Sequence, residues 1–171
     1  MVFVDDFAIN TVMTRTHARA PRGERAVVLD PCNYGQSVSV ISALTLRGIV
    51  APMTIEGAVN SEVFALYVEQ LLAPVLRGGD IVCLDNVKFH YSARAVSLIE
   101  AAGARVEYLP AYSPDFDPSE ECISKLKTIL RTLKARTHHT LGTALKYALA
   151  QVTPADIRGW FKHCGYTYSL N

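Results

Sequence analysis

Apolar residues along the chain come in short blocks whose internal period changes from one block to the next. Met1 to Val4 is a wholly apolar run of the kind found in a buried strand. A polar, basic connection over residues 10–25 holds Arg15, Arg19, Pro21, Arg22, Gly23 and Arg25, and the short run Ala26-Val27-Val28-Leu29 after it reads as a minor strand. Val38 to Leu46 and Ile49 to Ile55 are rich in β-branched residues on either side of Arg47-Gly48, which predicts an antiparallel hairpin. Asn60 and Ser61 can cap a helix, in which Val63, Phe64, Tyr67, Val68, Leu71 and Leu72 recur at helical spacing until Pro74 and Gly78-Gly79 end it.

Ile81 to Leu84 then reads as a strand covered on both faces, with Asp85 and Asn86 at its carboxyl end. A helix over 92–102 closes at Gly103 in the C′ position. Val106 to Leu109 predicts another strand, and the loop over 110–118 carries three prolines that limit its conformations. Ile123, Leu126, Leu130 and Leu133 make an apolar stripe at i, i+3, i+7 and i+10, so the helix carrying them packs on a sheet. Two more helices are expected over 140–151 and 154–164, the second with the single tryptophan, Trp160. The order predicts an α/β layered sheet with parallel and antiparallel pairs.

At 171 residues with 50% hydrophobic composition, the chain suits one domain with an adequate core. The formal net charge is only +1, so nucleic-acid contact has to come from local clustering. Residues 118–139 supply it: five cations (Lys125, Lys127, Arg131, Lys134, Arg136) against Glu120 and Glu121 give +3 there and leave −2 for the rest. Cys32, Cys83, Cys122 and Cys164 lie far apart, without C-x-x-C pairs or histidines at zinc-ligand spacing, and read as reduced, mostly buried thiols. No apolar run reaches membrane-spanning length, so a cytoplasmic protein with no membrane partner is expected.

Three carboxylates stand out. Asp5 and Asp85 each follow an apolar strand and Glu120 opens a helix, with 34 residues between the last two. In α/β sheets the functional crevice lies beyond the carboxyl ends of the parallel strands, so neighbouring strands would bring Asp5 and Asp85 together, with Glu120 on the opposite wall. Oxygen ligands from separate rigid elements suit hard divalent cations, which assist phosphodiester cleavage. Each residue also has a plainer reading. Asp117-Pro118-Ser119-Glu120 fits a capping box with Glu120 folding back from N3, and Asp85 fits a turn residue accepting backbone hydrogen bonds.

At 100° per residue, Lys127, Arg131 and Lys134 fall within about 40° of Glu120, away from the apolar stripe. A phosphate backbone laid on this rail would bring a scissile bond to the acidic end; a solvated helix face is the alternative. His90 fits either an orienting contact near Asp85 or a packed ring.

Phe3-Val4-Asp5-Asp6, Cys83-Leu84-Asp85-Asn86 through His90, and Tyr112-Ser113-Pro114-Asp115-Phe116-Asp117-Pro118-Ser119-Glu120 on to Ser124-Lys125-Leu126-Lys127 together resemble the mariner-type transposases of bacterial insertion sequences, which carry the DDE endonuclease motif. Arg19 to Arg25 and Gly165-Tyr166 extend the resemblance over nearly the whole chain.

It implies a ribonuclease-H-like mixed five-stranded sheet, three parallel strands plus an antiparallel hairpin, flanked by helices. It also implies two Mg²⁺ ions, with Mn²⁺ as a substitute, bridged by Asp5 and held singly by Asp85 and Glu120. Asp6, Asn86, His90 and Asp117 would surround and orient these ligands, and Lys125, Lys127, Arg131 and Lys134 would contact DNA. The implied reaction is strand cleavage at element ends and strand transfer into target DNA by in-line phosphoryl transfer. Residues 1–171 would be the catalytic domain of a bacterial, nucleoid-associated protein, homodimeric when active. A helix-turn-helix region for reading terminal repeats is expected upstream, so the chain reads as a catalytic half from a truncated copy or a split reading frame.

Against the family pattern, Asp6 stands where Glu is usual, Asp117 where Asn is usual and Ile123 where Trp is frequent. Asp117 adds a charge able to raise neighbouring carboxylate pKa values. Two rivals remain: a decayed core that binds DNA or a partner without cutting, and, from Val2-Phe3-Val4-Asp5-Asp6, a phosphorelay receiver domain.

Overall fold

The β-branched and aromatic runs pair as five strands in a computed structural model that describes residues 1–29, 35 and 37–167. They are β1 (Val2–Asn10), β2 (Ser37–Thr45), β3 (Gly48–Glu56), β4 (Ile81–Leu84) and β5 (Arg105–Tyr108). The strands lie in the order β3-β2-β1-β4-β5. β1 pairs antiparallel with β2 and parallel with β4, and β5 extends the parallel side. The antiparallel β2–β3 hairpin excludes a receiver arrangement, whose sheet is parallel throughout.

Alternation along β1 sorts the core into two layers. Val2 and Val4, with Val82 and Leu84, pack against α1 (Ser61–Tyr67) and α2 (Ala93–Ala101). Phe3, Phe7 and Ile9, with Cys83, face α3 (Pro118–Leu133), α4 (His138–Ala150) and α5 (Pro154–His163). The Phe3 ring meets Phe161 edge-on at 5.4 Å and Tyr166 at 5.1 Å, which seats α5 on the central strand. At a site this closed, Phe3→Ala costs about 3–5 kcal/mol.

Several expectations need correction. Ala26–Leu29 forms no strand: Val27 and Leu29 are 77% and 96% exposed, because no neighbouring strand is there to pair with them. The helix begun at Asn60, whose side chain accepts from the Val63 amide, ends its regular part at Tyr67 and continues as a π turn over Val68–Leu72 and a 3₁₀ turn over Ala73–Val75. Leu133 leaves the core, and Cys122 joins Ile123, Leu126 and Leu130 on the buried face of α3. Asp5 lies inside β1, not at its end. Only the parallel pairing with β4 stops at Val4, while the pairing with β2 runs on to Asn10. Cys83, Cys122 and Cys164 are buried free thiols; Cys32 lies outside the described residues.

Candidate active site

The parallel register Val4 to Leu84 sets Asp5 beside Asp85 at the edge where β4 ends. Alternation turns Asp5 toward α3, the layer of Phe3 and Phe7. The proline loop crosses that layer in a 3₁₀ turn over Pro114–Phe116, and Tyr166 donates its hydroxyl to the Phe116 carbonyl at 2.7 Å, fixing the turn. The chain then enters α3 through Asp117, with Pro118 in the first turn. The result is a cavity of about 240 Å³ lined by Asp5, Asp85, Asp117 and Glu120, with Asn86 and Tyr112 on its walls and no Lys, Arg or His in its lining.

The acids are held differently. Asp5 accepts from the Asp6 amide at 2.7 Å and from the Ser119 hydroxyl at 3.3 Å. Asp117 caps α3, accepting from the Ser119 amide at 2.8 Å, and also takes the Ser119 hydroxyl at 2.5 Å. The cap reading is therefore right for Asp117. It fails for Glu120, because α4 and α5 have reciprocal capping boxes and α3 does not, and Glu120 lines the cavity. Asp85 accepts from the Val87 amide at 3.1 Å, so it does make the expected turn contact. Its Oδ1 also stands 2.6 Å from His90 Nδ1, and an ionised carboxylate oxygen there can only accept, which puts the proton on Nδ1.

His90 is completely buried, its ring 4.6 Å from Phe64 and 4.5 Å from Phe89. It cannot touch a phosphate; it orients Asp85. Its Nε2 has no hydrogen-bond partner among the described residues. Asn86 ties the end of β4 to the Leu109 carbonyl and accepts from the Tyr91 hydroxyl. Asp6 faces the other layer, within reach of the charges of His90, Asp85 and Lys127.

Charge follows from this crowding. Burial, then Asp117, Glu120 and Asp85, push the Asp5 carboxyl from 3.8 up to about 8, against the lowering effect of the Asp6 amide. Asp117 is raised by burial first, with Glu120 and Asp85 adding to it over the opposing Ser119 bonds. At Asp85 burial is outweighed by the bonds from His90 and Val87, and its carboxyl falls below its ordinary value. Four acids without a lining cation are a donor set that suits hard divalent ions. Yet among the described residues no group of three or more His, Cys, Asp or Glu side chains stands arranged to hold a metal ion. The carboxylates share a cavity without closing a ligand shell, short of the gathering the sequence led us to expect.

On α3, Lys127 lies 5.8 Å from the centre of the Phe7 ring, Arg131 is half-buried and Lys134 is exposed at the C-cap in a left-handed conformation. Lys125 does not belong to this rail. Its Nζ is committed to Asp156 on α5 at 2.5 Å. Sequence patterning assigned no role to Ser119, which links two of the acids, and Arg136, counted there with the basic cluster, instead donates to the Thr11 and Met13 carbonyls at 2.9 and 3.1 Å.

Residues 1–142 match the family profile described as DDE superfamily endonuclease. Among solved structures, the fold is similar to that of the Mos1 strand transfer complex, with a TM-score of 0.74 and 20% identity over 95% of this chain and 51% of that one. The Mos1 transposase paired-end complex with left transposon end gives 0.74 and 18% over 95% and 52%, and the catalytic domain of Mos1 mariner transposase gives 0.69 and 15% over 95% and 76%. The chain spans about half the length of the Mos1 chains in the two complexes. No curated protein matches it by sequence.

Proposed function

Because the chain belongs to the DDE superfamily endonuclease family, we propose that its acidic cavity cleaves DNA strands and transfers them, as the catalytic domain of a transposase. The observation that carries this reading is the convergence of Asp5, Asp85, Asp117 and Glu120, from three separate elements, on one cavity with no cation in its lining. Asp5, Asp85 and Glu120 would hold Mg²⁺, with Mn²⁺ as a substitute; solved Mos1 paired-end complexes contain each of these metals. Bound there, such ions lower the pKa of an attacking water or 3′-hydroxyl and offset charge on the leaving oxygen.

The protein's own contribution is positional. His90 and the Val87 amide fix the Asp85 carboxylate, while Ser119 and the Asp6 amide fix Asp5. The Asn86 side chain and Tyr166 hold the two walls to the β5 end and the proline loop. Lys127, Arg131 and Lys134 give a phosphate backbone a cationic track ending at Glu120. Element-end and target DNA would be the substrates, an upstream helix-turn-helix segment would choose the sites, and the active form would be a homodimer. Among the described residues no helix is long and apolar enough to cross a membrane.

The test is nicking of supercoiled plasmid by the purified chain in Mg²⁺ or Mn²⁺, beside Asp85→Asn. Relaxed circles formed by wild type and not by the variant are expected. Nicking that persists in the variant overturns the assignment of the site. Absence of metal-dependent nicking alongside salt-sensitive DNA binding would favour a core that binds without cutting.

A further inference from the structure

The connection leaving β1 is anchored at its root. Arg136 bonds the Thr11 and Met13 carbonyls, the Val12 amide donates to Asn10 Oδ1 at 3.1 Å, and Met13 packs on the α3–α5 core. This directs Arg15, Thr16 and His17, which follow Thr14, onto the exposed side of α3. There they close a second cavity of about 240 Å³ with Thr128, Arg131 and Thr132. Two guanidiniums and an imidazole line it and no described acid does. No described carboxylate forms an ion pair with Arg15 or Arg131, unlike Lys125 and Arg94, which are held by Asp156 and Glu69. The Thr128 and Thr132 hydroxyls donate to carbonyls one turn back and the Thr16 hydroxyl pairs with His17 Nδ1 at 2.9 Å, so the donors left for a ligand are the two guanidiniums and the far nitrogen of the His17 ring.

Unpaired cations of two elements facing one concavity bring a repulsive cost that an anion removes, and paired guanidiniums are the geometry that grips phosphate oxygens. Arg131 lies on the Glu120 face of α3, eleven residues along, or about 16 Å at 1.5 Å per residue. That spacing is roughly five base-pair steps at about 3.4 Å each, so one duplex could occupy both sites.

We propose that Arg15 and His17 of this connection, together with Arg131, form a phosphodiester subsite that clamps the DNA backbone at a distance from the acidic cavity. The proposal rests on the DNA-strand reading given above and extends it to residues outside the acidic motif. Backbone clamping carries no base information, so it should act equally on every sequence.

The experiment measures binding of a short fluorescein-labelled duplex by anisotropy over roughly 50–200 mM salt, for wild type, Arg15→Ala/Arg131→Ala, the exposed-arm variant Arg15→Glu, and Arg77→Ala in the loop that enters β4. The slope of log K against log[salt] is expected to fall in magnitude by about 2 in the double variant, near 0.9 per lost phosphate contact. Arg15→Glu, on an exposed segment where folding is not at stake, should weaken binding in the same direction, and Arg77→Ala should leave it unchanged. Wild-type slopes in both arm variants, with plasmid nicking intact, overturn the subsite and leave the strand-cleavage reading standing. No duplex binding by the wild-type chain overturns both.

Discussion

Replacing Asp5 by Asn removes one ionisable carboxyl from the acidic cavity at almost constant shape, and the sign of its effect on stability is fixed by the local electrostatics. Burial and the charges of Asp117, Glu120 and Asp85 lift the Asp5 carboxyl from 3.8 to about 8. In the unfolded chain this carboxyl ionises near its ordinary value, so the folded protein holds the extra proton between about pH 4 and pH 8, and stability falls as pH rises through that window. About four pH units at about 1.4 kcal/mol each set a ceiling of ~6 kcal/mol at pH 8 and above. Water in the open cavity screens the charges, which brings the expected effect to about 2–3 kcal/mol. Asp5→Asn lacks this titration. It should match wild type near about pH 4 and exceed it by that amount near pH 8. Urea denaturation in EDTA across the window measures the gap, and added Mg²⁺ should narrow it by binding the folded wild type. A variant less stable than wild type near pH 8, or a gap that does not change with pH, would refute the reasoning.

His90 and Lys125 each hold a carboxylate, and each contact can be removed singly. His90→Ala removes the bond that orients Asp85, and the Mg²⁺ concentration for half-maximal nicking should rise about 10–100-fold. His90→Asn, which can return an amide N–H near the Nδ1 position, should recover part of the loss, and an unchanged Mg²⁺ dependence in both would remove His90 from its positioning role. Lys125→Ala should cost about 1 kcal/mol through its pair with Asp156 and leave the salt slope of DNA binding intact. Lys125 first, then Thr153, holds the Asp156 carboxyl down at about 2. This contribution should therefore be complete above about pH 4 and vanish as pH falls toward 2, readable in acid-range melting curves.

Apolar patterning made the sheet and the layer of α3 legible, because the run Met1 to Val4 and the stripe Ile123, Leu126, Leu130 are local signals. It also led to Asp5, Asp85 and Glu120, since strand ends and helix starts are marked by where apolar runs stop. What it could not convey were pairings across long separations. Asp156 captures Lys125 from 31 residues away, Ser119 reaches Asp5 across 114, and Arg136 grips Thr11 across 125. His90 was ambiguous for the same reason, as its burial depends on Phe64, which lies on another helix. Val27 to Leu29 misled because apolar residues signal a strand only when a partner edge is free to receive them.

Asp5, Asp85 and Glu120 are proposed to bind divalent metal in one cavity. Anomalous diffraction from crystals of the protein soaked in Mn²⁺ tests it directly. Density at the Mn²⁺ edge within coordination distance of Asp5 and Asp85, lost on Asp85→Asn, is the expected result. Mn²⁺ absent from that cavity, or bound only at other surface carboxylates, would contradict it.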